Sequence, residues 1–395
     1  MITIIDLTRM LAGPFATQIL GDLNYRIIKV EEMRIGDATR HHPPYNKGVS
    51  AYFFSANRNK ESVILDLKHP DGRKVLLDLV RGADAVIENF RPDVMKNLGL
   101  SYEELKAVNP GIVLVSITGF GSYGPLRNNV SFDIVAQAMS GAMAVTTPDE
   151  GEPIKPALSL GDLGAAMYGT TALLSGLLSK KSTGVGGHFE VGLLDAMLAM
   201  SSRVGEEYLL TGKADEPPAG LFPNGVFATW DGFLSIAAYT DAAWQALCTT
   251  IGRPDWIPDP RLGDAAARWA RRGELEAGLS QALATRATAD WLKAFTAAAV
   301  PAVAVADLKK VMHDPALISG AMVMTIDHPV AGPIYVVGNP IKRHGRPFRH
   351  ENLPAPRHGE HTRRVLSAHL GYSEAEVERL IACGAASDLR PEPEG

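Results

Sequence analysis

The segment Pro156-Ala-Leu-Ser-Leu-Gly-Asp162-Leu-Gly-Ala-Ala-Met-Tyr-Gly169 sets one carboxylate at the head of a helical pattern built mostly from small residues. Ala165, Ala166, Gly169 and Thr170 let a neighbouring backbone approach closely, so the pattern puts Asp162 in a tight crevice rather than on a solvated face. A carboxylate stripped of water there is a nucleophile for an electrophilic carbon. Asp is also a favoured N-cap residue, and an Asp after Gly at a strand-to-helix turn needs no chemical role. A second acidic residue, Asp133, opens the helical stretch SFDIV, where the helix dipole alone favours a carboxylate. The rest of the chain decides between these readings.

Other reactive residue types are scattered. His344, His350, His358 and His361 crowd a Pro/His/Arg-rich stretch that reads as an extended surface segment, and none stands in the HxxxH spacing that puts two ligands on one helix face. No metal site is expected there. His41 and His42 are adjacent and read as loop residues lining a cleft. Cys248 and Cys383 lie far apart without partners at metal-ligand spacing, which assigns neither a disulfide nor a zinc site and fits a reducing cytosol.

The elements that must position these residues begin with alternating β-branched runs and helical patterns. Strands are predicted at Ile2–Leu7, Tyr25–Val30, Ser62–Leu65, Ala85–Glu88 and Ile112–Thr118, and helices near Gly13–Asp22 and Pro70–Arg81. Such alternation reads as a parallel sheet covered by helices. The first turn, Leu11-Ala-Gly13-Pro14, lacks GxGxxG, so neither NAD nor FAD is expected. A glycine-rich loop at 119–125, Gly-Phe-Gly-Ser-Tyr-Gly-Pro, follows the strongest strand, where open α/β sheets bind ligands. Helices are predicted at Ser131–Ala144, Gly164–Ser179 and Phe189–Ser201. After Thr229-Trp-Asp-Gly232 come a strand at Phe233–Ala238 and helices near Ala242–Ile251, Arg271–Ala284 and Ala289–Ala298, the pattern of a smaller α+β domain. A strand at Ile334–Val337 and two short helices after His361 complete the chain, which ends in the polar tail ArgProGluProGluGly.

At 395 residues and 42.3 kDa the chain can bury a large core, and roughly 150 residues per domain suggests two or three units. A net charge of -5 and a pI near 6.1 argue against a general nucleic-acid or membrane-surface binder, so a polyanionic ligand needs a local basic cluster. The opening MITIIDLTRMLAGPF does not read as a secretory leader, and no run approaches the roughly 18 apolar residues of a membrane span. A soluble, cytoplasmic protein is expected.

Several segments, in order, resemble the class III CoA-transferases of the CaiB/BaiF type. DLTRMLAGPFATQILGDLNYRIIKVE matches the family's first βαβ unit, FFSANRNKESVILDLKHPDG its second block and ADAVIENFRP its third. The match continues through VSITGFGSYGP, SFDIVAQAMSG, LGDLGAAMYGTTALLSGLLSKKSTGVGGHFEVGLLDAML, FATWDGFLSIA and GEHTRRVL. The resemblance implies a Rossmann-like large domain at 1–225, a small α+β domain at 226–325, and a segment at 326–395 returning to the large domain. It also implies an interlocked homodimer, each chain threading through its partner's ring.

The resemblance further implies that Asp162 is the catalytic carboxylate, with Asp133 where formyl-CoA transferases of the family carry a second acid. It places CoA contacts at Leu11, Ala12, Arg34, Leu65, Lys68, Asn89, Phe90 and Arg91; Phe90 would stack on adenine or serve the core. Arg40, Arg58 and Lys60 are further candidate phosphate partners. The implied reaction moves CoA from an acyl-CoA to a free carboxylic acid through aspartyl anhydride and aspartyl-CoA thioester intermediates, without metal or redox cofactor.

The chain departs from the family in two places. Many members read Glu-Arg-Pro after the second strand, but this chain reads Glu31-Glu32-Met33-Arg34, so the usual arginine contact is lost or moves to Arg34. The region Ala219-Gly-Leu-Phe-Pro-Asn-Gly225 lacks the run of glycines found in oxalate-type enzymes, which disfavours oxalate and formate. Two further readings stand beside transfer. Racemisation or isomerisation of an acyl-CoA is disfavoured because Phe132 stands where the racemases have a histidine base; mere acyl-CoA binding needs no enclosed carboxylate. His41, Arg40 and Arg203 are candidate partners for a dicarboxylate acceptor.

Overall fold

The computed structural model describes residues 1–146, 151–212, 220–349 and 351–388. The β-branched runs pair into one sheet made of β1 (Thr3–Asp6), β2 (Arg26–Glu31), β3 (Lys60–Leu65), β4 (Ala85–Glu88), β5 (Val113–Thr118) and β6 (Gly187–Gly192), with a short antiparallel strand, Ala386–Ser387, beside β3. The order is β3-β2-β1-β4-β5-β6, all parallel. Ile4 pairs with Ile27 on one side and Ala85 on the other. β1, β4 and most of β2 and β5 are buried on both faces, which is why they read as continuous apolar runs instead of alternating. The strand order reverses between β1 and β4, with later strands added on the other side of β1, and ligands of such sheets bind at the strands' carboxyl ends beside this switch.

Ten helices matter for the site: α1 (Ala12–Asp22), α2 (Ala51–Asn57), α3 (Pro70–Arg81), α4 (Val94–Asn97), α5 (Tyr102–Val108), α6 (Asp133–Met139), α7 (Ala142–Val145), α8 (Leu160–Thr183), α9 (Leu193–Met200) and α10 (Ser202–Thr211). α3 shows how the sequence writes them. His69 caps it by accepting the Asp71 N–H, Pro70 fits its first turn, and Gly82 follows its end. Val75, Leu76, Leu79 and Val80 form its buried stripe, each stabilising by about 1.5–3 kcal/mol, so Leu76→Ala would cost roughly 2–5 kcal/mol. On this sheet face Ile5, Ile28, Val63 and Val86 pack with α3 and α5; on the other, Ile4, Val115 and Ile117 pack with α1 and the small residues of α8.

Three sequence expectations are corrected here. The helix expected over Ser131–Ala144 is broken at Gly141, whose φ of 80° is left-handed and separates α6 from α7. The helix expected over Phe189–Ser201 begins only at Leu193, because residues 187–192 form the edge strand β6. That strand's short alternating pattern, with glycine at both ends, carries little apolar signal. The strand expected at Ile334–Val337 is present, as described below. The stretch expected to lie on the surface before His361 is woven onto the sheet edge. His358 is buried, Gly359 donates to Ser62 Oγ at 2.8 Å, and Thr362 Oγ1 accepts the Ile64 N–H at 3.1 Å.

The chain forms two compact units, one of residues 1–203 and 315–395 and one of residues 204–314. In the second, β7 (Asn224–Ala228), β8 (Phe233–Ala237) and β9 (Ala302–Ala304) make an antiparallel sheet in the order β9-β8-β7. Its core gathers Leu234 and Ile236 with Trp244, Leu279, Trp291 and Phe295 from helices at Asp241–Thr250, Arg272–Leu283 and Thr288–Ala297. In the first unit, β10 (Val323–His328) and β11 (Gly332–Val337) form a hairpin that packs Ile326 with Phe53 and Phe54. The sequence divides the chain at 225 and 325. The units part at 203 and 314, since β7 pairs with β8 and the β10–β11 hairpin packs on α2. No helix among the described residues is long and apolar enough to cross a membrane. Ala219, His350 and the 390–395 tail lie outside the described residues.

Candidate active site

The turn between β1 and α1, where Leu11 and Ala12 stand, is held from three sides. Lys29 Nζ donates to the Thr8 carbonyl at 2.8 Å and pairs with Asp37 at 3.0 Å, both side chains fully buried. Asp37 Oδ1 accepts the Met10 N–H at 3.2 Å. Asn89, at the end of β4, accepts the Arg9 N–H at 2.8 Å and donates back to the Arg9 carbonyl at 2.7 Å. Below, Asp6 binds Lys60 at 3.1 Å and the hydroxyls of Thr8 and Thr17. Buried charges survive only when paired and hydrogen-bonded. This network meets that condition and fixes the backbone beside the switch of the sheet.

Asp162 sits in the first turn of α8, half-buried. The side chain of Ser159, at the N-cap, makes no capping bond. The cap comes from α6 instead: Asp133 Oδ1 accepts the N–H groups of Gly161 at 2.9 Å and Asp162 at 3.3 Å. Gly161 makes this approach possible, since a Cβ there would stand 3.2 Å from Asp133 Oδ1 and 3.3 Å from Ala136 Cβ. Gly164 is tighter: its Cβ would lie 2.4 Å from Met200 Sδ. Burial, and next the charge of Asp133, push the Asp162 carboxyl up to about 7. The enclosure read from the small residues is present, and the carboxylate in it is poised near neutral pH.

Tyr52, on α2, belongs to the same corner. Burial, then the charges of Asp162, Asp37 and Asp133, push its phenol up to about 12, so it is held as a neutral hydroxyl. His42 meets its ring edge-on at 5.9 Å. Sequence reasoning missed Tyr52 because it stands in the aromatic run Tyr52-Phe53-Phe54, which reads as core. It also missed Gln137, fully buried on α6, whose one signal was its place four residues after Asp133.

The expected CoA contacts follow the carboxyl ends of four adjacent strands: Leu65 and Lys68 at β3, Arg34 after β2, Leu11 and Ala12 at β1, and Asn89, Phe90 and Arg91 at β4. Arg34, Lys68 and Arg91 are exposed. Three other basic candidates are not free to meet phosphate. Arg40 is buried against Glu31, Arg58 forks onto Asp22 at 2.9 and 2.6 Å, and Lys60 is bound to Asp6. Phe90 packs partly on the core, with the Arg9 guanidinium 5.5 Å from its ring centre. His41 is exposed on the Ile35 carbonyl, and Arg203 is exposed on α10.

A cavity of about 350 Å³ opens at the ends of β4, β5 and β6, bordered by Phe90, Arg91, Tyr102 and buried Glu88. Another, of about 300 Å³ between α1, α2 and β11, is mostly apolar; its charged pair, Asp22 and Arg58, is mutually satisfied. Among the described residues one trio, His69, Asp71 and Cys383, brings potential metal-ligand atoms within 4.8 Å of one another, but Asp71 already binds Arg379 at 2.6 Å.

The sequence model described as CoA-transferase family III matches residues 2–362. A succinyl-CoA:glutarate CoA-transferase of Mus musculus is 35% identical over 388 residues, covering 97% of this chain and 89% of that protein. An acetyl-CoA:oxalate CoA-transferase of Acetobacter aceti is 36% identical over 359 residues, covering 90% and 91%. The crystal structure of a CaiB/BaiF family protein from Brucella suis superposes with a TM-score of 0.83 at 31% identity, covering 93% of this chain and 98% of that one.

Proposed function

The chain belongs to CoA-transferase family III and is a CoA-transferase, and from that premise we propose that Asp162 carries CoA from an acyl-CoA thioester to a free carboxylic acid. The observation that carries this reading is the Asp162 carboxylate itself, enclosed at the start of α8 with Asp133 against its backbone.

Asp162 Oδ attacks the thioester carbonyl, the C–S bond breaks, and an aspartyl anhydride forms as CoA thiolate leaves. The thiolate attacks the Asp162 carbonyl of the anhydride, releasing the first acid as carboxylate and leaving an aspartyl-CoA thioester. The acceptor carboxylate attacks that thioester, and returning thiolate attacks the acceptor's carbonyl in the new anhydride. This yields the new acyl-CoA and regenerates Asp162. Each step exchanges one acyl bond for another, so the thioester's energy is retained provided water is kept out. Tyr52 O–H supplies a neutral donor for the charge that develops on the carbonyl oxygen.

In this reading CoA lies over the carboxyl ends of β3, β2, β1 and β4, meeting Leu11, Ala12, Arg34, Leu65, Lys68, Asn89, Phe90 and Arg91. Short dicarboxylates are the acceptor class, in line with the glutarate and oxalate named for the relatives; the missing glycine run favours the longer. Arg40 is bound to Glu31, so it is not the partner of their distal carboxylate. We assign the working form as an interlocked homodimer; α10 buries none of its residues within its own chain and exposes Leu209 and Leu210, as a threading segment would. The free thiols Cys248 and Cys383 fit a reducing cytoplasm.

The test is mass spectrometry after incubation with a panel including succinyl-CoA and acetyl-CoA, with and without hydroxylamine, followed by peptide mapping. A CoA-sized adduct on the Asp162 peptide, converted to a hydroxamate, is expected. CoA binding without any adduct, together with deuterium wash-in at the α-carbon in the absence of an acceptor acid, would overturn transfer in favour of racemisation.

A further inference from the structure

We infer that Gln137 is a positioning residue for Asp162: its side-chain amide holds Asp133 so that Asp133 caps α8 and stays beside the Asp162 backbone. The inference rests on the reading of Asp162 as nucleophile.

Gln137 is fully buried one helical turn beyond Asp133 on α6. Its Nε2 donates to Asp133 Oδ2 at 2.6 Å and to the Leu158 carbonyl at 3.1 Å. Both neighbours are acceptors, so the amide has one sensible orientation: turned over, its oxygen would face two oxygens. In that orientation Oε1 has no hydrogen-bond partner among the described residues. A buried acceptor without a donor costs stability. The arrangement is therefore explained by what Nε2 does, which is to tie α6 both to Asp133 and to the turn at Leu158 that leads into α8.

The electrostatic consequence follows from where these donors hold Asp133. Asp133 accepts the N–H groups of Gly161 and Asp162 on one oxygen and Gln137 Nε2 on the other. Three donors fix the Asp133 carboxylate against the first turn of α8. Burial, and next the charge of Asp133 placed there, push the Asp162 carboxyl up to about 7. Among the described residues named below, none is a free counter-charge for the pair. Tyr52 from α2 is neutral, and Asp37 beyond it is paired with Lys29. α1 has one charged residue, Asp22 at its far end, bound to Arg58. On α9, Asp195 accepts the Tyr123 hydroxyl.

Withdrawing the Gln137 donor frees the Asp133 carboxylate to turn away from α8, and with that charge further off, Asp162 ionises at lower pH. The experiment follows the rate of CoA-adduct formation on the Asp162 peptide between about pH 5 and pH 9 in the full-length protein. Wild type should lose rate on the acid side of about pH 7. Asp133→Asn, which keeps an oxygen for the cap but removes the charge, should move this limb down by about one pH unit. Gln137→Met should move it in the same direction by roughly half as much, and the double variant no further than Asp133→Asn alone. Gln137→Asn keeps an amide but withdraws it by one methylene; it should behave like Gln137→Met and serves if that variant does not fold. A uniform loss of rate at every pH with the limb unmoved would make Gln137 merely structural and overturn the inference. Absence of any adduct in wild type would instead overturn the reading of Asp162 on which it rests.

Discussion

Arg40 lies in a fork against Glu31, with Nη2 2.8 Å from Oε1 and Nε 2.9 Å from Oε2, and both side chains are buried. Ser62 Oγ and the Asp37 N–H donate to the same carboxylate, and Arg40 also reaches the Pro356 carbonyl. The pair thus joins β2 to the loop that carries Asp37 and to the late segment on the sheet edge. Arg40→Ala strands a buried carboxylate and should cost about 3–5 kcal/mol in urea unfolding. The pH dependence has a definite sign. Burial pushes the Glu31 carboxyl up, but Arg40 and then Lys29 outweigh it and hold it well below the ordinary carboxylate range. Its stabilisation is complete above the ordinary value and drains away as pH falls below about 4.5. In Arg40→Ala that acid-side loss should be much reduced; an unchanged acid slope would mean that Glu31 does not depend on Arg40.

The candidate phosphate partners of the first hundred positions therefore divide into two kinds, and their variants should divide likewise. Lys68→Ala, Arg34→Ala and Arg91→Ala should each raise KM for acyl-CoA about three- to tenfold, with smaller changes in kcat and weaker dependence on salt. Arg58→Ala should instead lower the unfolding free energy by about 3–5 kcal/mol, because it leaves Asp22 buried without its partner. Steady-state kinetics at two ionic strengths, run beside urea denaturation, separates the classes. A KM effect from Arg58→Ala at full stability would contradict the division.

Sequence alone could not make that division, because Arg40 and Lys68 differ in what surrounds them and not in type. What was legible had a local physical cause. Strands buried on both faces must be apolar throughout, so β1, β2, β4 and β5 were visible; α3 announced itself through Pro70, its apolar stripe and Gly82. The small residues after Asp162 signalled close packing because a Cβ at Gly164 would run into the Met200 side chain and one at Gly169 into Ile117. β6 was hidden because an edge strand exposing His188 and Glu190 loses the apolar run that marks its neighbours. Gln137 and Tyr52 were hidden for a different reason: their roles depend on Asp133, Leu158 and Asp37, which the fold brings to them from other elements.

Tyr52 can be tested through its hydroxyl. With carboxylates around it the phenol stays protonated, pushed up to about 12 first by burial. Tyr52→Phe should lower kcat roughly tenfold to a hundredfold, the scale expected for loss of one donor to developing charge, and leave KM for acyl-CoA nearly unchanged. Removing one hydroxyl from a half-buried ring should not unfold the protein. A rise in KM with kcat preserved would show that Tyr52 binds the acyl group in the ground state rather than serving the transition state.

Asp162 itself should be a burden to the fold, which gives a test independent of turnover. Burial first, and then Asp133, raise its carboxyl from 3.8 to about 7. The folded protein therefore holds a proton on it that the unfolded chain releases at lower pH. Folding is penalised increasingly as pH rises from about 4 to about 7, and the penalty is constant above that, at most about 4 kcal/mol. Asp162→Asn removes the titrating group while keeping its size. The variant should be more stable than wild type at pH 8, the advantage should shrink toward pH 5, and CoA transfer should be abolished. Thermal or urea unfolding of both proteins at the two pH values measures this directly. If the stability difference were the same at both, the Asp162 carboxyl would not be held against its ionisation, and the enclosure argued for the nucleophile would fail with it.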